Sequence, residues 1–348
     1  MRKTTLKGAA VAFTAVAMTL ALAVSAQADP TFAPDSDDYV GSGSDTSQFV
    51  LNALATAHNA QSPAPTRRLA SWDVLVTPSI TPQAGAPVIN RPNGSSQGVA
   101  ALAAAGNSPT SNPEDDYLDF ARSSSGPGSF NPPPVPLTFY PFAGDGLAIA
   151  VARANSDGSP NTNAPASLVF TPARLAAIYQ CQATANQWSD FVPGASTATI
   201  RPLLPQPGSG TRSYFLAQVG LTEAQIVTKS ESPGSFCVND DPQEHDPALI
   251  NSNANAIAPF SVARYNVNVP VVNGQKIIAL RTGTGNFNPT RLLYNVVKTS
   301  REATVGTVFN TTGYLCTAAA DAIIAAHGFQ TLPKTSAAGS CGVPVRIP

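Results

Sequence analysis

Four segments of the sequence place small hydroxyl residues where a predicted strand gives way to a predicted helix. They cover residues 42–47, 93–96, 122–125 and 208–212. Free N–H groups and the positive dipole end at a helix start attract anions, and serine and threonine hydroxyls add neutral hydrogen-bond partners. One such loop is usually plain helix capping. Four in one chain offer the converging donors that a tetrahedral oxyanion needs, so the pattern predicts an oxyanion site.

Three arginines stand next to these loops: Arg91, Arg122 and Arg212. A guanidinium group binds an oxyanion through two parallel hydrogen bonds, which a lysine cannot do. The alternative for each arginine is a salt bridge at the surface. We treat Arg122 and Arg212 as candidate ligand-binding residues.

The motifs of common nucleophilic and nucleotide-binding enzymes are missing from the sequence. It has no G-x-S-x-G, no G-x-x-x-x-G-K-[ST] and no G-x-G-x-x-G. The three histidines, His58, His245 and His327, are predicted to be capping or surface residues. The acidic run 240–244 lacks the spacing of a calcium loop and is predicted to be solvated. These observations favour a binding protein over an enzyme, with no cofactor and no metal.

The elements that must position the loops alternate between strand and helix, which indicates an α/β fold. Helices are predicted from about Thr46, over 99–105, over 172–179 with Thr171 as N-cap, and over 214–219, 222–227 and 321–327, the last followed by Gly328. Strands are predicted over 38–40, 72–76, 118–121, 198–204, 256–262 and 276–280, with two strand-like runs between 139 and 151, around Gly144-Asp145-Gly146.

The first 28 residues have the pattern of a secretory signal peptide. Three basic residues precede an apolar run over 9–24, and Ala26-Gln27-Ala28 fits the cleavage pattern. The alternative, a membrane anchor, is disfavoured because the run is short and rich in alanine. The first cysteine is Cys181, which excludes a lipid anchor behind the leader. We expect cleavage after Ala28 and a secreted or periplasmic product.

The charge composition argues against a nucleic-acid partner. Charged residues make up 12% of the 348 residues, about half of the usual ~25%. Lysine and arginine together number 20, against 21 aspartates and glutamates, so no basic surplus exists to neutralise phosphate groups. We expect a monomer.

Four cysteines, Cys181, Cys237, Cys316 and Cys341, predict two disulfide bonds in an exported protein. Three pairings are possible. Proximity in the sequence favours Cys181 with Cys237 and Cys316 with Cys341.

The order of the loops resembles the exported phosphate-binding proteins of phosphate ABC transporters. The resemblance is carried by residues 40–46 (Val-Gly-Ser-Gly-Ser-Asp-Thr), 93–99, 119–124 and 208–211 (Gly-Ser-Gly-Thr), in this order. Residues 170–179, 188–190 and 254–260 are similar to connecting segments of that family. The resemblance extends over about residues 38–265, and the Gly-Ser-Gly-Thr element is its most specific part.

This resemblance implies a type II periplasmic-binding-protein fold, in which two α/β lobes close on a ligand. We expect lobe 1 to comprise 29–143 and 261–348, and lobe 2 to comprise 144–260. By position, the ligand-binding residues would be Ser44, Asp45, Thr46, Ser95, Ser96, Ser124, Ser209, Gly210 and Thr211, together with Arg122 and Arg212.

Two positions depart from the family's pattern. Ser124 stands where the family usually has an aspartate that accepts a phosphate proton, and Pro205 stands where it has an arginine. Asp45 is a candidate for the replacement acceptor, and Arg122, Arg201 or Arg212 is a candidate for the replacement cation. Without a carboxylate acceptor, a fully ionised ligand such as sulfate would be better tolerated.

The leading hypothesis is therefore a solute-binding protein that captures phosphate or a related oxyanion and delivers it to a membrane ABC permease. The alternative is a secreted binding or adhesion module with the same fold and no transport role. A secreted hydrolase is the third hypothesis, but the sequence offers no nucleophile–base pair for it.

Overall fold

A computed structural model describes residues 29–106, 116–130, 133–154 and 159–348. The predicted signal peptide, residues 1–28, lies outside these ranges. Strands and helices alternate along the described chain, which confirms the α/β prediction. The helices are α1 Gln48–Asn59, α2 Ser95–Ala104, α3 Pro172–Tyr179, α4 Gly210–Val219, α5 Ala248–Asn251, α6 Val262–Asn268, α7 Gly306–Phe309 and α8 Ala318–Ala326. The strands are β1 Tyr39–Gly43, β2 Leu69–Ser71, β3 Ser79–Ile80, β4 Ile89–Asn90, β5 Phe120–Ser123, β6 Leu137–Ala152, β7 Arg201–Pro202, β8 Ala256–Ser261, β9 Val271–Val272, β10 Gln275–Lys276, β11 Ile278–Arg281, β12 Thr290–Lys298, β13 Gln330–Thr331 and β14 Val345–Ile347.

A mixed sheet in the order β2-β1-β5-β12-β6-β8-β7 organises the molecule. β1 is parallel to β2 and β5, whereas β12 is antiparallel to β5 and β6. The long strand β6 pairs with β12 through Leu137–Gly146 and with β8 through Leu147–Val151. One strand therefore runs through both halves of the sheet. The break predicted around Gly144-Asp145-Gly146 is wrong, because β12 pairs with all three residues and β13 pairs with Gly144 from the other side.

Each half of the sheet carries its own apolar core. Leu54, Phe142 and Ile324 belong to one core, which draws on β1, α1, α8 and the first part of β6. Trp188 and Phe215 belong to the other, which packs α3 and α4 against the second part of β6 and against β8. Later residues also join this second half, namely Val269, Ile278 and Phe287. The two cores separate along β6 near Asp145, so this residue lies where the chain passes from one half to the other.

The predicted helix signals are confirmed at two caps. The Thr171 side chain accepts a hydrogen bond from the N–H of Arg174 at the start of α3, and Gly328 follows α8 with a φ of 81°. The prediction of a strand over 72–76 is wrong, since β2 ends at Ser71. In the predicted strand 198–204, only the two residues of β7 form a strand. The strand β12 was not predicted, because buried polar residues such as Arg291 and Asn295 interrupt its apolar pattern.

Both disulfide bonds favoured by sequence proximity are present, Cys181–Cys237 and Cys316–Cys341. The first joins the residues after α3 to the segment between α4 and α5, and the second joins the segment before α8 to the C-terminal region. Within the described residues, no helix combines the length and the apolar character needed to cross a membrane.

Candidate functional site

The four hydroxyl loops meet between the two halves of the sheet, at a contact that we call the junction. The loop after β1, the start of α2 and the end of β5 come together first. There the Ser44 hydroxyl donates to Ser124 Oγ at 3.1 Å, and Ser95 Oγ lies 3.3 Å from Ser124 Oγ. Ser95 Oγ also accepts the backbone N–H of Ser124 at 3.0 Å. These serines are fully buried, so they form a rigid polar wall.

The start of α4 in the other half packs directly on this wall. The N–H of Ser96 donates to the carbonyl of Gly208 at 3.1 Å across the junction. A Cβ atom on Gly210 would lie 2.3 Å from both Ser95 Oγ and Ser124 Oγ. Gly210 is therefore required for the close approach of the fourth loop to the other three.

Thr46 and Thr211 face each other across the junction, with their hydroxyl oxygens 3.4 Å apart. A third group joins them, the carboxylate of Glu244. Its Oε2 accepts from the Thr46 hydroxyl at 2.8 Å, and its Oε1 accepts from the Thr211 N–H at 3.1 Å and from the Ser209 hydroxyl. Three donors, from the loop after β1 and the start of α4, thus converge on one carboxylate.

His245 lies beside Glu244, and its side chain is completely buried. The expectation that it is a surface or capping residue is wrong, as is the expectation of a solvated acidic loop, because this loop folds into the junction. Burial lowers the pKa of His245 well below its usual value, so the ring is neutral. Its Nδ1 accepts the N–H of Ser261 at 3.2 Å, which places the ring proton on Nε2. The Nε2–H group points at Thr46 Oγ1, 2.9 Å away.

This tautomer decides what the histidine can do. Asp45, Glu244 and His245 offer ligand atoms within 4.8 Å of one another, as a metal site would. A metal-binding imidazole, however, presents a bare nitrogen to the ion and donates from the other nitrogen. The bond from Ser261 imposes the opposite arrangement. For the same reason Nε2 is not a general base toward Thr46, and it serves instead as a hydrogen-bond donor.

Arg291 on β12 supplies a cation to the junction. Its Nη1 donates to Thr211 Oγ1 at 2.9 Å, while its Nε and Nη2 donate to Asp145 at 3.2 and 3.0 Å. Asp145 also accepts the Ser261 hydroxyl at 2.8 Å. Arg291 thereby links the hydroxyl cluster to the point where β6 passes between the two cores. The signal that could have revealed it is an arginine directly before the apolar run that begins at Leu292.

The arginines singled out from the sequence are engaged elsewhere. Arg122 is fully buried and donates to the carbonyls of Ser44 and Trp72 and to the hydroxyl of Ser71, which fixes the first loop. Burial lowers the pKa of Arg122 to about 10. Arg212 forms ion pairs with Glu223 at 2.6 Å and with Asp240 at 3.0 Å.

Arg91 forms an ion pair with Asp29 at 2.6 Å. The exposed residue Arg201 lies on the edge strand β7. Arg291, by contrast, contacts the hydroxyls of both Thr46 and Thr211.

Asp45 and Glu244 form a coupled pair of buried carboxyl groups. Burial raises the pKa of Asp45 well above its usual value, and the neighbouring charge of Glu244 raises it further. Burial acts on Glu244 in the same sense, but hydrogen bonds from Asp45 and Ser209 and the charge of Arg291 lower its pKa to about 2. The opposite directions of the two pKa shifts favour Asp45 over Glu244 as the place of a proton that the pair shares. Within the described part of the chain, Asp45 Oδ1 is a buried atom without a hydrogen-bond partner.

Comparison with known proteins identifies the family of this chain. The family model described as the PBP superfamily domain matches residues 29–286. The chain belongs to the PBP superfamily. No curated protein sequence matches it significantly.

Two solved structures share the fold of this PBP-superfamily chain. One is a Clostridium perfringens protein with bound phosphate, at 16% identity and a TM-score of 0.54, with 84% of this chain and 98% of that chain covered. The other is an ABC-type phosphate transport receptor from Vibrio cholerae, at 19% identity and a TM-score of 0.52, with 83% and 98% covered. The expected type II periplasmic-binding-protein fold is confirmed, and these neighbours are binding proteins, not enzymes.

Proposed function

We propose that this protein is an exported solute-binding protein that captures phosphate or a related oxyanion between its two lobes for a membrane ABC permease. One observation carries the proposal: hydroxyl and N–H donors of Thr46, Ser209 and Thr211 already converge on an anionic group, the Glu244 carboxylate. Donors arranged in this way recognise an oxyanion. The phosphate named for both structural neighbours points to the same ligand class.

The roles within the site follow from its contacts. Thr46, Ser209, Thr211 and the Nε2–H of His245 are the donors, and Arg291 supplies the positive charge. The wall residues Ser44, Ser95 and Ser124, together with Gly210, shape the cleft, and the N–H of Ser96 joins the wall to the fourth loop. Arg122 and Arg212 position the loops through their own partners.

Asp45 takes the part of the aspartate that the family usually has at the position of Ser124. When protonated, it donates to an anion without protons, as it does to Glu244. When ionised, it accepts the proton of a protonated phosphate. Sulfate has no proton to give, so its binding should decline as the pH rises through the pKa of Asp45, whereas phosphate should persist.

Capture would occur by closure of lobe 1 on lobe 2, with β6 as one crossing. Because Val269, Ile278 and Phe287 pack in the second half, lobe 2 takes in residues beyond the expected 144–260, and the second part of lobe 1 begins later than the expected residue 261. The bond network of Asp145, Ser261 and Arg291 lies at that crossing and touches Thr211. Ligand contact and lobe position are thereby coupled through one cluster. We further propose export through cleavage after Ala28 and a monomeric product.

Calorimetry on the dialysed mature chain tests the proposal, with phosphate and sulfate each titrated at two pH values. We expect saturable phosphate binding that weakens roughly tenfold in Thr211→Val, because the side chain keeps its shape and loses one hydroxyl. Thr307→Val, which changes an exposed threonine of α7, is the matched control. If neither anion binds saturably, the proposal is refuted.

A second function is favoured by the same carboxylate. Because Glu244 already occupies the donors, the fold would also suit a secreted binding or adhesion module that needs no small ligand. Binding of a cell-surface partner with equal affinity in the presence and absence of phosphate would favour this alternative.

A further inference from the structure

The carboxylate of Glu244 lies at the centre of the proposed oxyanion site. Its side chain has no exposed surface, and both of its oxygens are engaged. The N–H of Thr211 is at a helix start, where an anion gains most from the helix dipole. Glu244 therefore uses the donors that are best suited to a bound oxyanion.

The Glu244 carboxylate and an oxyanion exclude one another. A phosphate oxygen within reach of the Ser209 hydroxyl and the Thr211 N–H would overlap Glu244 Oε1, which accepts from both. A second oxygen at Thr46 Oγ1 would overlap Oε2. Two anions within the same set of donors would also repel each other strongly in a buried environment.

The remaining contacts of Glu244 do not make it part of a compensated ion pair. His245 is 3.7 Å away and neutral. The guanidinium of Arg291 forms its ion pair with Asp145. The charges of Arg291 and Arg264 favour the ionised form of Glu244, but within the described residues neither donates a hydrogen bond to it. The hydrogen bonds from Thr46, Ser209 and Thr211 hold the carboxylate in place. The adjacent residue His245 has a φ of 62°, a left-handed conformation that is unfavourable for a non-glycine residue.

We propose that Glu244 is an intramolecular competitor of the ligand, whose carboxylate must leave Thr46, Ser209 and Thr211 before an oxyanion can bind. This inference rests on the proposed function and describes how the same site is regulated. The competitor sets the apparent affinity, because the ligand binds only the fraction of molecules in which the donors are free. It also offers a path of release, since the returning carboxylate takes over the donors.

Calorimetric titration with inorganic phosphate of wild type, Glu244→Ala and Glu244→Gln tests this inference. We expect Glu244→Ala to bind phosphate roughly ten- to a hundredfold more tightly than wild type, since charge-assisted hydrogen bonds no longer compete. Glu244→Gln keeps the shape, loses the charge and should lie between the two. The control is Glu231→Ala, which removes the same charge from an exposed loop residue and should bind like wild type. Circular dichroism verifies the fold of each variant, and the glutamine variant carries the test if the alanine variant does not fold.

A second probe asks whether the position itself accepts a carboxylate. Formate should bind to Glu244→Ala and compete there with phosphate, whereas wild type should not bind it. This result is specific to the vacated donors and would not follow from a general change in charge.

The outcomes separate the inference from the proposed function. If wild type binds phosphate and neither variant binds it more tightly, the competitor is refuted and the function stands. If only the Glu244 variants bind, the competitor is supported, and phosphate capture by the natural protein is refuted. If no variant binds phosphate or formate, both are refuted.

Discussion

Replacement of Asp45 by asparagine tests the proton that Asp45 shares with Glu244. In the folded protein burial, followed by the charge of Glu244, raises the pKa of Asp45 well above the 3.8 expected in an unfolded chain. Above pH 3.8 the folded protein therefore keeps a proton that the unfolded chain has lost. A raised acid pKa gives stability that is fully present below the unfolded pKa and is lost as the pH rises toward the folded pKa.

The size of the effect follows from one proton per molecule. The free energy of unfolding should fall by about 1.4 kcal/mol per pH unit, as long as Asp45 stays protonated in the folded state. The amide of Asp45→Asn donates to Glu244 as the protonated acid does, but it does not titrate. Relative to wild type, the variant should gain about 1.4 kcal/mol of stability per pH unit. His245 contributes the opposite slope, because its lowered pKa makes stability rise with pH, but it is present in both proteins and cancels in the comparison.

Urea denaturation at pH 5, 6 and 7, at constant ionic strength and with the disulfides oxidised, measures this difference. Asp37→Asn changes an exposed aspartate outside the junction and serves as the control. We expect its curve to run parallel to that of wild type. If the stability of Asp45→Asn also runs parallel to wild type across the three pH values, Asp45 is ionised in the folded protein and the shared proton does not exist.

Two further substitutions test the proposed site, and a third change tests a disulfide bond. Arg291→Lys keeps the charge but cannot make all the contacts of the guanidinium. Phosphate binding should weaken about tenfold, and the free energy of unfolding should fall by about 1–2 kcal/mol because Asp145 loses part of its compensating charge. Wild-type values in calorimetry and urea denaturation would contradict this. Gly210→Ala places a Cβ atom 2.3 Å from two serine hydroxyl oxygens and should weaken phosphate binding roughly tenfold. The circular dichroism spectrum should stay normal. Unchanged affinity would show that the loops separate freely. Cys316→Ala combined with Cys341→Ala removes a disulfide bond with a sequence separation of 25 and should lower the free energy of unfolding by about 3 kcal/mol. An unchanged urea midpoint would show that this bond does not contribute to stability.

Sequence reasoning identified the loops because their signals are local. A serine or threonine before a helix and a glycine within it specify a cap and a close approach wherever they occur. Ser209, for example, accepts the N–H of Arg212 at the start of α4, and Gly210 lies against the opposite wall. Such features require neither the partner lobe nor the sheet to be known in advance.

The groups that give the site its charge could not be predicted in the same way. Arg291 lies 80 residues from Thr211 in the sequence, and only the pairing of β12 with β6 brings it to the cleft. Glu244 and His245 belong to a loop that looks solvated when its composition is considered alone. Their burial depends on the fold of the whole chain, so a local pattern cannot reveal it.

The position of the acidic group shows how such a site can keep its chemistry while its sequence pattern changes. Ser124 lacks the carboxyl group that the resembled family places there, yet Asp45 on the neighbouring loop brings one to the same junction. Because Asp45 carries the proton it shares with Glu244, it presents a donor to an anion that has no proton. The same oxygen atoms become acceptors once that proton is lost. On the proposals made above, the ligands that this cleft tolerates are therefore set by the proton on Asp45 and by the displacement of Glu244, rather than by which strand supplies the acid.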